Sequence, residues 1–371
     1  MVALLLSAAC APSGAPSGSD AGGAATGTAT TTPPQTASSP AASPDAASTA
    51  TAVPKVAVTL FKNVRIFDGK AGKLTDPGNV MVRGNIIERV SSRTIETPAD
   101  ANVIVIDGGG RTLMPGLIDA HWHAMLVRPP VASLLTADTG YLNLLAGAEA
   151  TDTLLRGFTT VRDVSGSRFG LKQAIDHGVL AGPRIFPSGA IITITGGHGD
   201  FRPFTDLPRT LGAPLTRQET TGASMVADSP DEVRVRVREQ LMQGASQIKL
   251  TAGGGVASPH SPLDASTFTE PELRAAVEAA ENWGTYVTAH AYTPATIKRA
   301  IAAGVKCIEH GQLMDESTAK LMAERGIWLS IQPFPEELGN AFPPGSDERE
   351  KFQEVFVGTD RAYALAKKYR L

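Results

Sequence analysis

The 371-residue sequence predicts an α/β fold: a TIM-type (β/α)8 barrel whose eighth strand is missing, joined to a small β-sandwich from the N-terminal part. Three observations lead there. After Met114, short β-like runs alternate with longer amphipathic segments, the grammar of a parallel sheet with crossover helices. Seven such units can be read, and residues 114–371 supply roughly the 250 residues that a barrel of this kind takes. Between residues 55 and 113, by contrast, short strands follow one another with turns between them and no helical spacing.

Taken in order, the chain opens with VALLLSAA at positions 2–9, a short apolar stretch ending at Cys10. The segment 1–10 is similar to the end of a bacterial lipoprotein signal, although no Lys or Arg precedes the apolar run. The expectation is an exported protein, periplasmic or held at a membrane through a lipid on Cys10, alternatively secreted. Residues 11–54 are almost wholly Ala, Ser, Thr, Pro and Gly, too poor in aliphatic side chains to offset the entropy of ordering, and predict a disordered linker. Residues 55–113 hold the runs VAVTLF, VRIFD, NVMVRG, IIERV and VIVID. Turn signals at Asp68-Gly69, Asp76-Pro77-Gly78, Gly84-Asn85 and Gly108-Gly109-Gly110 separate them.

Residues 114–371 carry the runs GLIDAHWHAM, TTVRDV, RIFPSGAIIT, QIKLTAGGG, YVTAHAY, CIEHGQ and WLSIQPF. Amphipathic segments fall at 230–244, 270–283, 294–304 and 315–326. The net charge of −3 carries no basic stripe, so nucleic acid is not an expected partner. Two cysteines make no disulfide framework, and Cys307, inside an apolar run, reads as a core thiol. No apolar run approaches the roughly 20 residues that span a bilayer.

Of the seven histidines, four sit in or at the ends of strand-like runs, where barrel enzymes place their chemistry. His121 and His123 are two apart, so on a strand both imidazoles face one way and can reach one ion, with Asp119 extending the row. Alone, this pair is a weak signal, Lys249 reads as a lysine capping a strand, and His290 and His310 read as core histidines. His177, beside Gly178, suits the terminal carbonyls of a helix. His260, between two prolines, belongs to a lid-like loop.

The stretch LMPGLIDAHWH at 113–123 resembles the first-strand signature of the amidohydrolase superfamily, and the likeness extends over about residues 55–371. It implies that His121 and His123 hold the more buried of two divalent ions. It further implies that Lys249, in QIKL, is carboxylated by CO2 and bridges both, and that His290 (YVTAHAY) and His310 (CIEHG) complete the set. Imidazole and carboxylate-like ligands suit Zn2+, with Mn2+, Co2+ and Fe2+ left open. His198, in TGGHGD, is similar to a substrate-binding segment of the imidazolonepropionase-like and Xaa-Pro-dipeptidase-like branch, with loop ordering as the alternative. Tyr292 is expected to direct its hydroxyl at a substrate carbonyl.

The superfamily's general-base aspartate, at the end of an eighth strand, is expected beyond Leu371. Asp360 stands in a similar Gly-Thr-Asp, but Phe352, Val355, Phe356 and Tyr363 follow helical spacing, which puts Asp360 on a helix. The implied activity is hydrolysis of amide or peptide-like carbon–nitrogen bonds by a metal-activated hydroxide, dipeptidase-like, on a small-molecule or dipeptide substrate. Cyclic-amide, lactone or organophosphate hydrolysis is the alternative within the superfamily. An inactive, truncated metal-binding surface protein is the alternative outside it. A homo-oligomer is expected.

Overall fold

The computed structural model describes residues 57–371 except Asp100, Val131, Ser167, Arg168 and Pro259. The signal-like segment with Cys10 and the linker at 11–54 lie outside the described residues. The described part forms two compact units that divide between Pro115 and Gly116.

The first unit is one mixed five-stranded sheet. β1 (Ala57–Ile66) absorbs two runs that the sequence shows as separate, and β2 (Gly78–Arg83), β3 (Ile86–Ser91), β4 (Asn102–Asp107) and β5 (Thr112–Leu113) follow. The order is β3-β2-β1-β4, with β5 also on β1; β1 pairs antiparallel with β2 and parallel with β4. Val58, Leu60, Met81 and Ile95 form its buried core. Ile86, Ile87, Val90, Ile104 and Val105 are exposed. A second layer, which a sandwich would require, is absent among the described residues of this unit.

The second unit is a mixed α/β assembly in which parallel strands alternate with helices. β6 (Leu117–Trp122), β7 (Phe158–Asp163) and β8 (Arg184–Pro187) form a three-stranded parallel sheet. β9 (Ile191–Thr193), β10 (Ser224–Val226), β11 (Ile248–Thr251), β12 (Val287–Ala291), β13 (Cys307–His310) and β14 (Trp328–Ser330) form a six-stranded sheet in the order β10-β9-β11-β12-β13-β14. The run RIFPSGAIIT is thus two strands, β8 and β9, broken at Gly189, whose φ of 76° no strand residue adopts. Ser246 N donates to Pro187 O at 2.8 Å, which ties the entry of β11 to the end of β8.

Helices α1 (Ser133–Thr136), α2 (Thr139–Leu155), α3 (Phe169–Asp176), α4 (Arg217–Thr220), α5 (Pro230–Met242), α6 (Glu270–Glu281), α7 (Pro294–Ala302), α8 (Glu316–Glu324) and α9 (Asp347–Tyr369) complete the unit. No helix among the described residues is long and apolar enough to cross a membrane. The starts of α5 to α8 were legible: Ser229, Thr269, Thr293 and Asp315 are their N-caps, with Pro at the first turn of α5, α6 and α7. β11, β12 and β13 are buried along their whole lengths, as strands covered on both faces must be. Ile248, Leu250, Val287, Ala289 and Ile308 pack there against Val237, Leu273, Ile297 and Ala319 from the helices.

The cap of α8 gives a measurable prediction. Asp315 accepts from Thr318 N at 2.7 Å and from the Thr318 hydroxyl at 2.6 Å, and chiefly the hydroxyl contact holds its carboxyl down at about 2. Asp315→Ala should cost about 1 kcal/mol of stability in denaturant titrations at neutral pH. A depressed carboxylate stabilises above its unfolded pKa and loses that contribution as the pH falls, so the difference should vanish between about pH 4 and pH 2.

Candidate functional site

Strand ends of the second unit deliver the chemistry-bearing side chains. On β6 and just past it, alternation sends Trp122 into the core and His121 and His123 the other way. Their Nε2 atoms stand 3.0 Å apart. β11 contributes Lys249, 2% exposed, whose Nζ has no hydrogen-bond partner among the described residues. Its register partner on β12 is Thr288, and Thr251 pairs with His290 two residues on. On β13, Glu309 pairs with His290.

The rings form one cluster. Centroids are 4.8 Å apart for His121 and His123, 4.7 Å for His121 and His310, and 4.3 Å for His290 and His310. His198, in the loop after β9, lies 4.3 Å from His290, and Tyr292 lies 4.8 Å from His290 and 5.2 Å from His310. Glu309 and His310 are sequence neighbours, which a regular strand would send to opposite faces. His310 has a φ of 77°, a left-handed conformation that costs a non-glycine residue about 1–3 kcal/mol and ends the strand with its ring among the other imidazoles.

Electrostatics make the cluster neutral. Burial lowers every one of these imidazoles, and the charge of Lys249 lowers them further, His198 to about 3. Burial also brings the Lys249 amine down from 10.5 to about 8. Free imidazole nitrogens and a readily deprotonated amine are electron-pair donors. The Nδ1 atoms of His123 and His310 are buried without partners. Among the described residues, no three His, Cys, Asp or Glu side chains are gathered tightly enough to hold an ion unaided.

The sequence reading missed the group that organises the cluster from beneath. Glu309, fully buried, accepts from His121 Nδ1 at 2.7 Å, from Arg162 Nη2 at 2.5 Å and from the Thr288 hydroxyl. Burial alone would raise its carboxyl, but Lys249, His121 and Arg162 together hold it well below the usual range. Because Glu309 takes the proton side of His121 Nδ1, the lone pair of Nε2 is left facing His123. A charged residue inside the apolar run of β13 was the available signal. Arg162 also donates to Ala120 O at 2.7 Å, so one guanidinium braces both the carboxylate and β6.

The glycines after β11 were legible only as a loop. A Cβ on Gly254 would lie 1.6 Å from Pro262 O, and one on Gly255 2.1 Å from His198 Nδ1, so the loop and the imidazole need each other's space. Gly254 O also faces His290 Nε2 at 2.8 Å. His260 stacks on Phe204 at 4.7 Å, apart from the cluster, and His177 follows the end of α3. Asp360 is an exposed residue on α9.

The chain matches the amidohydrolase family over residues 112–349. It is 34% identical over 233 residues to the ochratoxinase of Aspergillus niger, a match that takes in 58% of this chain and 46% of that protein. The chain therefore spans about half the length of the curated relatives it matches first. Among solved structures it resembles a prolidase complexed with N-methylphosphonate-L-proline (36% identity, TM-score 0.77, 85% of this chain and 76% of that one). It also resembles a Xaa-Pro dipeptidase with methionine bound in its active site (32% identity, TM-score 0.69, 84% and 77%). This chain belongs to the amidohydrolase family.

Proposed function

We propose that the chain carries a dipeptidase-like amide hydrolase site that takes two divalent ions, Zn2+ first among them, on His121, His123, Lys249, His290 and His310. The observation that supports it most is the Lys249 amine, buried beside five neutral imidazoles with no partner of its own. A solitary buried amine costs folding energy, and a protein that keeps one has a use for it. The unprotonated amine would add to CO2 through a new N–C bond, losing one proton to water and becoming an anionic carbamate. That carbamate supplies the oxygen donor that the imidazole cluster lacks. When bound, the ions would lower the pKa of a water and polarise the scissile carbonyl.

The remaining tasks fall to the chain's own side chains. Glu309 holds the His121 ring in the tautomer that leaves Nε2 free. His198 and Tyr292 stand at the edge of the cluster, where a substrate oxygen would need donors. Phe334, 6.4 Å from His310, begins a row of aromatic contacts through Phe352 to Phe342 and Phe356, a wall suited to an apolar group flanking the amide. We further infer a (β/α)-barrel for the second unit. The Ser246–Pro187 bond, and the reach of His121 on β6 to Glu309 on β13, support closure of the strands. Export with a lipid on Cys10 and assembly of like subunits belong to the same proposal. Retention of a labelled fatty acid by the wild type but not by Cys10→Ala, and the mass in solution, test them.

The decisive assay loads the protein with Zn2+ and offers Xaa-Pro and other apolar dipeptides beside lactones and phosphotriesters. Release of free amino acid from dipeptides at a rate at least tenfold above lactone or phosphotriester turnover is the expected result. Turnover of the esters alone would overturn the amide assignment.

A further inference from the structure

The loop after β11 is wrapped around His198 more closely than ring packing demands. Ser258, buried, places its hydroxyl 2.8 Å from His198 Nδ1 and 3.1 Å from Gly199 N. Gly199 N–H can only donate, so it occupies one lone pair of that oxygen. The single hydroxyl proton then needs an acceptor, and among the described residues the one within hydrogen-bond reach is His198 Nδ1. Lys351, on α9, donates to Ser258 O at 2.8 Å and to Gly255 O at 3.2 Å, which fixes the loop from outside. Gly255 itself lies against the ring, where a Cβ would be 2.1 Å from Nδ1. His198 Nε2 makes no hydrogen bond to a described residue.

We propose that Ser258, held by Lys351, is a positioning residue that locks His198 as the Nε2–H tautomer, so that His198 serves as a fixed hydrogen-bond donor and reads an acceptor oxygen on the substrate, a carbonyl or a carboxylate. This rests on the hydrolase assignment above for the substrate, but not for the tautomer. A donor at this position accepts an oxygen without accepting an amine, so it discriminates the acyl or carboxylate side of an amide from its ammonium side. A ring free to flip its proton would lose that discrimination, which is what the Ser258 contact prevents.

The test is a histidine-selective 15N spectrum of the full chain at neutral pH, with His198→Gln identifying the signal. In the wild type Nδ1 should be bare and Nε2 protonated. Ser258→Ala should convert that signal to a mixture of tautomers. Lys351→Met, which keeps the hydroxyl and perturbs only its anchor, should give a smaller admixture and covers the case in which Ser258→Ala does not fold. A wild-type ring protonated at Nδ1, or an unmixed Nε2–H ring in both variants, would overturn the assignment. Adding Zn2+ separates the two proposals. Signals of His121, His123, His290 and His310 should move while His198 stays. Movement of His198 as a ligand defeats the donor role, whereas no movement of any histidine defeats the metal site and leaves the tautomer result standing.

Discussion

Lys249→Met is expected to abolish the binding of roughly one of two divalent ions per chain and at the same time to make the metal-free protein more stable. The two effects have one cause. An amine that is 2% exposed and unpartnered is a burden on folding, and methionine fills nearly the same volume without a charge. The fall from 10.5 to about 8 corresponds to about 3 kcal/mol, which sets the upper end of the stability gain. Its pH dependence has a definite sign. Below about pH 8 both the folded and unfolded wild type carry the ammonium, and the full penalty is present. Between about 8 and 10.5 the unfolded chain binds the proton that the folded one has lost, so wild-type stability rises with pH and the gap to Lys249→Met closes. Denaturant titrations of both proteins without metal measure the gap, and elemental analysis after loading measures the ions. If both ions remain in Lys249→Met, Lys249 is not part of the site. In the zinc-loaded protein the same substitution should reduce kcat/KM by about a thousandfold, equivalent to about 4 kcal/mol of transition-state stabilisation.

Glu309→Ala should be the most damaging single change to stability, on the order of 3–5 kcal/mol, because it leaves Arg162, the His121 N–H and the Thr288 hydroxyl facing a hole in the interior. Glu309→Gln separates packing from charge. The amide fills the space and can still accept from one donor, so the fold should survive. It cannot pair with the Arg162 guanidinium or bias His121 as a carboxylate does, and zinc affinity should drop by about 10–100-fold in competition with a chelator. Unchanged zinc affinity in a folded Glu309→Gln would show that the carboxylate does no more than neutralise Arg162.

The candidate site residues were legible in the sequence only through the family resemblance of the runs that hold them. Period-two alternation by itself turns His121 and His123 to one side and leaves Lys249, His290 and His310 as ordinary residues of apolar strands. The helices α5 to α8 were legible, since Ser229, Thr269, Thr293 and Asp315 cap them and Gly244, Gly284, Gly304 and Gly326 follow them in left-handed conformations. The break between β8 and β9 at Gly189 was not legible, because an apolar run looks alike whether or not it bends.

What tertiary structure alone decided is which charges meet. Glu309 and Arg162 are 147 positions apart, and Ser258 and His198 are 60 apart. Nothing in the residues around them specifies the partner. A buried carboxylate or hydroxyl is tolerated only where distant strands bring it a donor or an acceptor, and that meeting is a property of the packed sheet rather than of any segment. The sequence determined which side chains could donate electron pairs; the packing determined which of them were left neutral, oriented and without a partner.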